Sequence, residues 1–290
     1  MVAFFWIPDI IIYMKVSDFD FELPDELIAS YPLSQRDASR MLIVNECGMW
    51  NVECEAKDKH IADFVSYLRS GDVVVFNNSK VIPARFTAIA ADGAEYEITL
   101  HTKLETRDPR FESAVLESRI SSFDLWYGFA KKFQKLKIGD LLRLEDSTEI
   151  EVLGKSDESG LLLNFLCDDV FAVLDRVGKM PLPPYMEREE EGSDRERYQT
   201  VYADPVGSMA APTAGLHFTP ELLEKIKAAG AEIVNITLHV GAGTWLPVRS
   251  DDTGNHKMHS EWGQITAEQA DKINSAKRVI AIGTTSLRLL

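Results

Sequence analysis

Val73-Val74-Val75-Phe76-Asn77-Asn78-Ser79 is the stretch that decides the fold. Four consecutive apolar residues are typical of a strand that is buried on both faces, as strands in parallel sheets are. The polar residues from Asn77 onward end this strand in a loop. Ahead of the strand, apolar residues at i, i+3, i+4 and i+7 from Ile61 predict an amphipathic helix.

The last third of the chain alternates helix and strand in the same way. Thr219-Pro220 predicts a helix start, because Thr is a good N-cap and Pro suits the first helical position. Strands are predicted at 233–240 and 279–282. Thr266 and Gln269 form a capping box that predicts a helix start. Helices that alternate with strands indicate an α/β layered domain.

Between these two parts, short strands are separated by turn signals, at 96–101, 141–144, 150–153 and 161–165. Short strands at such close spacing favour a small antiparallel β-barrel. We therefore expect an α/β fold with an inserted β-barrel. The α/β domain comprises residues 14–84 and 168–290, the barrel domain comprises residues 85–167, and residues 1–13 form an extension without an assigned role.

Composition limits the partners of the chain. Its 290 residues include 31 Lys and Arg against 46 Asp and Glu, a formal net charge of −15. Such a chain repels phosphate backbones at long range, which argues against nucleic acid unless a local patch opposes the net charge. The densest basic run lies in the predicted barrel and consists of Lys131, Lys132, Lys135 and Lys137.

The cysteines and the apolar runs indicate a cytoplasmic location. Three cysteines without a CxxC pair predict neither a zinc site nor disulfides, which suits a reducing compartment. No apolar run reaches the roughly 18 residues of a membrane helix, and residues 1–13 lack the marks of a signal peptide. We expect the folded domain to begin at Met14, with no membrane contact and no bound metal.

Four stretches in the last third combine small residues, hydroxyls and histidines, at 211–218, 238–245, 256–262 and 283–288. Three of them adjoin predicted strand ends, where open α/β sheets bind ligands. At 283–286 a strand-to-helix turn could hold a carboxylate or phosphate, although ordinary helix capping explains it equally well. Gly241-Ala242-Gly243 lacks the third glycine of a dinucleotide-binding fingerprint.

The histidines favour proton transfer as the chemistry. Four of the six lie in this third, at His217, His239, His256 and His259. Histidine titrates near neutral pH and can act as general acid or base, although packing is the commoner role for any single one. Metal binding by His256 and His259 is the alternative, but no carboxylate–His signature accompanies them. Arg85 could bind an anionic group or form an inter-domain salt bridge.

Taken together, these residues resemble the S-adenosylmethionine:tRNA ribosyltransferase-isomerase family of queuosine biosynthesis. The matching segments keep one order from Met14 to the last residue, at 76–85, 180–185, 197–202, 211–218, 238–244, 258–261 and 283–288. The barrel region, 91–164, is only loosely similar. The resemblance implies an α/β domain with an inserted β-barrel, in agreement with the pattern of strands and helices.

The resemblance also implies an activity. The family uses S-adenosylmethionine as a ribosyl donor to 7-aminomethyl-7-deazaguanine at the wobble position of tRNAs with GUN anticodons. The products are epoxyqueuosine in tRNA, adenine and methionine. The alternatives are another S-adenosylmethionine-dependent enzyme, such as a methyltransferase, and a non-catalytic tRNA-binding protein. We expect a monomer with S-adenosylmethionine as its substrate and no metal.

The implied reaction assigns roles to residues. A base must remove a proton beside the sulfonium, and an acid must protonate the departing adenine, so we assign the catalytic roles to His217, His259 and Glu261. The four lysines from Lys131 to Lys137 are assigned to tRNA phosphates. The base rings of the substrate need aromatic stacking, for which Tyr198, Tyr202 and Trp245 are candidates. The substrate-binding set comprises Asn77, Asn78, Arg85, Tyr198, Tyr202, Thr213, Gly215, His239, Gly241, Gly243, Thr244, Thr284, Thr285, Ser286 and Arg288.

Two regions depart from the family pattern, and one further stretch is dominated by charge. Family members continue past the 283–288 motif, so we expect the α/β domain to be incomplete at its C-terminus, which bears on whether these 290 residues are active alone. Residues 1–13 have no counterpart in the family. The highly charged stretch 187–197 predicts a solvated and mobile loop.

Overall fold

The computed structural model describes residues 14–44, 56–104, 125–156, 160–245, 248, 250–256 and 260–290. The strands of these residues are β1 (Arg40–Val44), β2 (Ala56–His60), β3 (Asp72–Asn77), β4 (Lys80–Val81), β5 (Arg85–Ala90), β6 (Glu95–Lys103), β7 (Leu125–Ala130), β8 (Leu141–Arg143), β9 (Glu149–Lys155), β10 (Gly160–Phe165), β11 (Val206–Ser208), β12 (Glu232–His239), β13 (Trp262–Gln264) and β14 (Arg278–Ala281).

The α-helices are α1 (Val170–Val177), α2 (Asp194–Arg197), α3 (Pro220–Ala228), α4 (Ala267–Ser275) and α5 (Gly283–Leu289). Short 3₁₀-helices occupy Val16–Phe19, Asp25–Leu27, Arg36–Ala38, Ile61–Tyr67, Phe133–Lys135, Pro184–Met186, Thr213–His217, Ala242–Trp245 and Thr253–Asn255. The predicted helix after Ile61 is one of these 3₁₀-helices rather than an α-helix. Its seven residues are long for a 3₁₀-helix, and it ends in a hydrogen bond from the Leu68 amide to the Val65 carbonyl (3.1 Å).

The central sheet has the strand order β13-β12-β3-β14. Strands β12 and β14 pair in parallel with β3, and β13 pairs antiparallel with β12. Val74, Val75 and Phe76 are fully buried because apolar clusters cover both faces of β3. The buried strand and the strands predicted at 233–240 and 279–282 are confirmed.

The inserted region is a closed antiparallel barrel with the order β10-β7-β6-β5-β8-β9. Its interior is filled by large apolar side chains such as Trp126, Leu100 and Ile150, and α1 packs on the same core through Leu174. The predicted fold class is confirmed, including the four barrel strands recognised in the sequence. Strands β5 and β7 were not predicted, and the limits assigned to the domains stay a prediction.

Side-chain caps fix two helices where the sequence places them. Thr219 Oγ1 accepts a hydrogen bond from the Leu222 amide (3.1 Å) at the start of α3. Thr266 and Gln269 exchange reciprocal hydrogen bonds at the start of α4. Each cap satisfies amide groups that the first helical turn cannot pair, so these starts are encoded locally.

The expectation of a solvated loop at 187–197 is wrong for the pair Arg188 and Asp194. Arg188 donates two hydrogen bonds to the Asp194 carboxylate (2.6 and 2.7 Å), and the side chains are only 11% and 5% exposed. The Glu191 amide also donates to Asp194 (2.8 Å). The pair closes a tight loop that leads into α2. Charge density alone does not distinguish such a buried pair from a hydrated run.

Candidate active site

The carboxyl ends of β3, β12 and β14 meet at one edge of the sheet because these strands are parallel. The Asn77 amide clamps two of them: Oδ1 accepts from the Leu238 amide (3.0 Å) and Nδ2 donates to the Leu238 carbonyl (2.9 Å). Asn78 Oδ1 accepts from Thr237 Oγ1 (2.8 Å). Both asparagines therefore have structural partners on β12, and their assignment to substrate binding stays a prediction.

His239, at the end of β12, lies between Ser79, Trp262 and Gly207. Its Nδ1 lies 2.6 Å from Ser79 Oγ, and its ring stacks on Trp262 (centroids 5.0 Å apart, 19° between planes). A Cβ on Gly207 would lie 2.8 Å from Nε2, so only glycine fits beneath the ring. Burial lowers the pKa of His239, which favours the neutral imidazole that a general base needs. Sequence reasoning placed His239 among the binding residues and missed Ser79.

Glu261 links the turn after β12 to α5. Its Oε1 accepts from the Gly241 amide (2.9 Å), and its Oε2 pairs with the Arg288 guanidinium (2.5 Å). The structure thus brings together three residues that the sequence placed in the site. The second amide of the turn, from Gly243, donates to Nδ1 of His101 in the barrel (3.2 Å). Both glycine amides are therefore bonded within the protein, and sequence reasoning missed His101.

The 3₁₀-helix Thr213–His217 packs against the start of α5. A Cβ on Gly283, which has φ of +84°, would lie 3.0 Å from Ala214 Cβ. His217 is half-buried, and this burial lowers its pKa. Arg36 anchors the segment by donating to the Leu216 carbonyl (2.9 Å). The stretches at 211–218 and 283–288 are therefore in contact, with a largely neutral histidine beside them.

Of the two tyrosines in the predicted binding set, Tyr198 is buried and Tyr202 is partly buried. Tyr198 is 3% exposed, which leaves its ring no open face for a base. Tyr202 packs edge-on against Phe76 (centroids 4.9 Å apart), and a Cβ on Gly215 would lie 2.1 Å from its hydroxyl oxygen. Burial raises the pKa of both phenols, which stay neutral. Trp245 is partly buried against the barrel core.

The 283–286 turn begins α5 as predicted. Its N-cap residue, Ile282, supplies no side-chain hydrogen bond. Ser286 Oγ donates to the Ile282 carbonyl (2.9 Å), so this hydroxyl serves the helix itself. Thr285 Oγ1 is buried without a hydrogen-bond partner among the described residues, and Thr284 is exposed. Anion binding by this turn stays a prediction.

Arg85 joins the barrel to the α/β domain, and in the described part of the chain it does so through backbone groups rather than a salt bridge. Among the described residues its Nη2 donates to the Leu182 carbonyl (3.3 Å) and its Nε contacts Thr99 Oγ1 (3.4 Å). Its backbone exchanges two hydrogen bonds with Lys179 (3.2 and 2.7 Å). This residue therefore has a structural role at the joint.

The remaining predicted residues lie apart from these contacts or outside the described ranges. Thr213 and Thr244 are exposed, as are all four lysines of the basic run, between β7 and β8. His259 lies outside the described residues, so its catalytic assignment stays a prediction. Within the described part of the chain, no group of three His, Cys, Asp or Glu side chains could hold a metal ion, and no helix is long and apolar enough to cross a membrane.

Comparison with known proteins gives consistent matches. A family model described as "Queuosine biosynthesis protein" matches residues 16–290. A Rickettsia bellii protein named S-adenosylmethionine:tRNA ribosyltransferase-isomerase is 44% identical over 284 residues, and the match covers 96% of this chain and 76% of that protein. A Parvibaculum lavamentivorans protein of the same name is 43% identical over 288 residues, with the same coverage of each chain.

A solved structure also matches. The crystal structure of a Thermotoga maritima S-adenosylmethionine tRNA ribosyltransferase is 28% identical, and the match covers 94% of this chain and 72% of that one with a TM-score of 0.39.

Proposed function

Because the chain belongs to the queuosine biosynthesis family, we propose that it is an S-adenosylmethionine:tRNA ribosyltransferase-isomerase. The enzyme transfers and isomerises the ribosyl group of S-adenosylmethionine onto 7-aminomethyl-7-deazaguanine at the tRNA wobble position. The observation that carries this proposal is identity of 43–44% to relatives of that name across 96% of the chain. A tRNA-modifying activity of this kind suits the cytoplasm.

The edge where β3, β12 and β14 end supports the chemistry. The reaction needs a proton to leave the carbon beside the sulfonium and adenine to be protonated as it departs. His217 is a candidate base, because burial favours its neutral form. Glu261 lies beside the glycine turn that follows β12, and His259 is assigned with it. These three residues remain our assignment for proton transfer.

Substrate recognition is the finer part of the proposal. We assign the wobble position of tRNAs with GUN anticodons as the target and a monomer as the active form. The exposure of Lys131, Lys132, Lys135 and Lys137 supports a contact with tRNA phosphates, because these cations oppose the net charge of −15 locally. S-adenosylmethionine is a substrate in this scheme, and the reaction as written uses no metal.

Product analysis tests the proposal. The protein is incubated with S-adenosylmethionine and tRNA that carries 7-aminomethyl-7-deazaguanine, and the products are analysed by mass spectrometry. We expect free adenine, methionine and epoxyqueuosine in tRNA, and none of these with tRNA that carries guanine at the wobble position. Release of S-adenosylhomocysteine would instead identify a methyltransferase. Retention of tRNA without any product would identify a non-catalytic binding protein.

A further inference from the structure

His101 occupies an irregular position in the barrel. In the pairing of β6 with β7, Leu100 lies opposite Gly128 and Thr102 lies opposite Tyr127, so His101 is the extra residue of a β-bulge. A Cβ on Gly128 would lie 3.0 Å from the Thr99 carbonyl oxygen, so glycine permits the close approach of the strands there. Bulges re-aim a side chain, and they are frequent beside active sites.

The bulge directs His101 onto the glycine turn that follows β12. The side chain is 3% exposed, and its Nδ1 accepts the hydrogen bond from the Gly243 amide (3.2 Å). The ring also closes against Gly241, where a Cβ would lie 2.4 Å from Cε1 and 2.5 Å from Nδ1. Because the Gly243 amide is a donor, Nδ1 is the unprotonated nitrogen of the ring.

Aromatic rings hold the imidazole in this orientation. Tyr127 and Phe129 of β7 lie 5.8 and 5.3 Å from it between ring centroids. The other amide of the turn, from Gly241, donates to Glu261, which in turn pairs with Arg288 of α5. The turn is thus fixed from the barrel on one side and from the last helix on the other.

We propose that His101 is a positioning residue for the ribosyl transfer, which holds the 241–243 turn in the geometry of the site. The inference rests on the proposed function, because the turn begins two residues after His239 and its Gly241 amide donates to Glu261. His101 bonds to a backbone amide of the turn, so it acts on the site through the backbone. The barrel thereby contributes to catalysis from outside the sheet.

Two substitutions of His101 separate this role from simple packing. His101→Asn keeps an acceptor, since Oδ1 can replace Nδ1, whereas His101→Leu keeps volume and removes the acceptor. We expect His101→Leu to lower kcat by about 10- to 100-fold with an unchanged KM for tRNA, because small misplacements at a reaction centre cost rates of this order. His101→Asn should recover most of that loss. Ile98→Val, another buried change in β6, is the control and should leave kcat near the wild-type value.

Amide hydrogen exchange of the peptide that contains Gly243 gives a readout that does not require activity. Protection should fall in His101→Leu and persist in His101→Asn and Ile98→Val. Equal kcat losses in the Leu and Asn variants, a wild-type kcat in His101→Leu, or unchanged protection in that variant would each overturn the inference. If the wild-type protein forms no adenine, the proposed function fails, and the exchange measurement alone decides whether His101 holds the turn.

Discussion

Removing the negative charge of Asp194 should destabilise the protein strongly. Arg188 donates to both carboxylate oxygens of Asp194 and to the Ser30 carbonyl (2.7 Å), and its guanidinium carbon lies 4.4 Å from the centre of the Tyr31 ring. In Asp194→Asn the guanidinium stays buried without the carboxylate that pairs with it, and an amide NH₂ faces its donors. Breaking a buried pair in this way costs about 3–5 kcal/mol of the free energy of unfolding.

The effect should reach the predicted site. The Gln199 side chain, just after α2, both accepts from the Val81 amide (3.0 Å) and donates to the Val81 carbonyl (2.7 Å). It therefore pins the segment that carries Tyr198 and Tyr202 to β4. Loosening of α2 should release this clamp, and tyrosine fluorescence or amide exchange of this segment would report it.

Urea unfolding is the assay, and a matched surface pair is its control. Arg195 and Asp175 form an exposed ion pair (3.3 Å; side chains 43% and 79% exposed), so Asp175→Asn should cost less than about 1 kcal/mol. A loss of unfolding free energy in Asp194→Asn no larger than in Asp175→Asn would refute the reasoning.

The same pair predicts a pH dependence of stability. The hydrogen bonds from Arg188 lower the pKa of Asp194, so the ion pair stabilises the fold fully above the unfolded carboxyl pKa of about 3.9. This stabilisation is lost as pH falls through the lower pKa of Asp194 in the folded protein, and Asp194→Asn should not show this loss of stability.

Three further changes test other parts of the structure. The first change replaces the basic run, Lys131, Lys132, Lys135 and Lys137, with Ala. The slope of the logarithm of the tRNA-binding constant against the logarithm of salt concentration should become shallower by about 0.7–0.9 for each phosphate that is no longer neutralised. An unchanged slope would exclude these lysines from the interface. Gly215→Ala should lower the free energy of unfolding by about 1–3 kcal/mol, because its Cβ would lie 2.1 Å from the Tyr202 hydroxyl oxygen. In thermal unfolding, the double variant with Tyr202→Phe, which lacks that oxygen, should recover most of the lost stability. His217→Ala and Glu261→Gln should be compared at saturating substrates; a proton carrier should lose about 100- to 10,000-fold in rate with unchanged affinities, and near-native turnover in both would place the base elsewhere.

The fold was largely predictable because its signals are local. The apolar run at 73–76, the Thr219 cap and the Thr266–Gln269 box each specify an element from a few adjacent residues. Strand β7 was not predicted because Leu125-Trp126-Tyr127 lacks the alternation of a half-buried strand: both faces are covered, and these three side chains are at most 6% exposed.

The sequence predicted which candidate stretches adjoin strand ends, but it did not predict their side-chain contacts. That the stretches at 238–245 and 283–288 meet at one edge follows from β12 and β14, which both run parallel to β3. The bond between Ser79 and His239 joins residues 160 positions apart, and His101 reaches the Gly243 amide from 142 positions away. No local pattern encodes such pairings. Burial also decided the environment of Tyr198, whose sequence neighbours are mostly polar.

The clamp between Asn77 and Leu238 has a consequence for the order in which the chain folds. These residues are 161 positions apart, so closing the loop between them in an unfolded chain costs about 4.5 kcal/mol from its length-dependent part. Arg85 and Thr99, which pair within the barrel, are only 14 positions apart. Once α1 has packed on the barrel core, pairing of Arg85 with Lys179 shortens the loop that the sheet must close. During synthesis the apolar strand β3 therefore stays unpaired until β12 has been synthesised. In refolding followed by pulse-labelled hydrogen exchange, the amides of β5–β10 should become protected before those of β3.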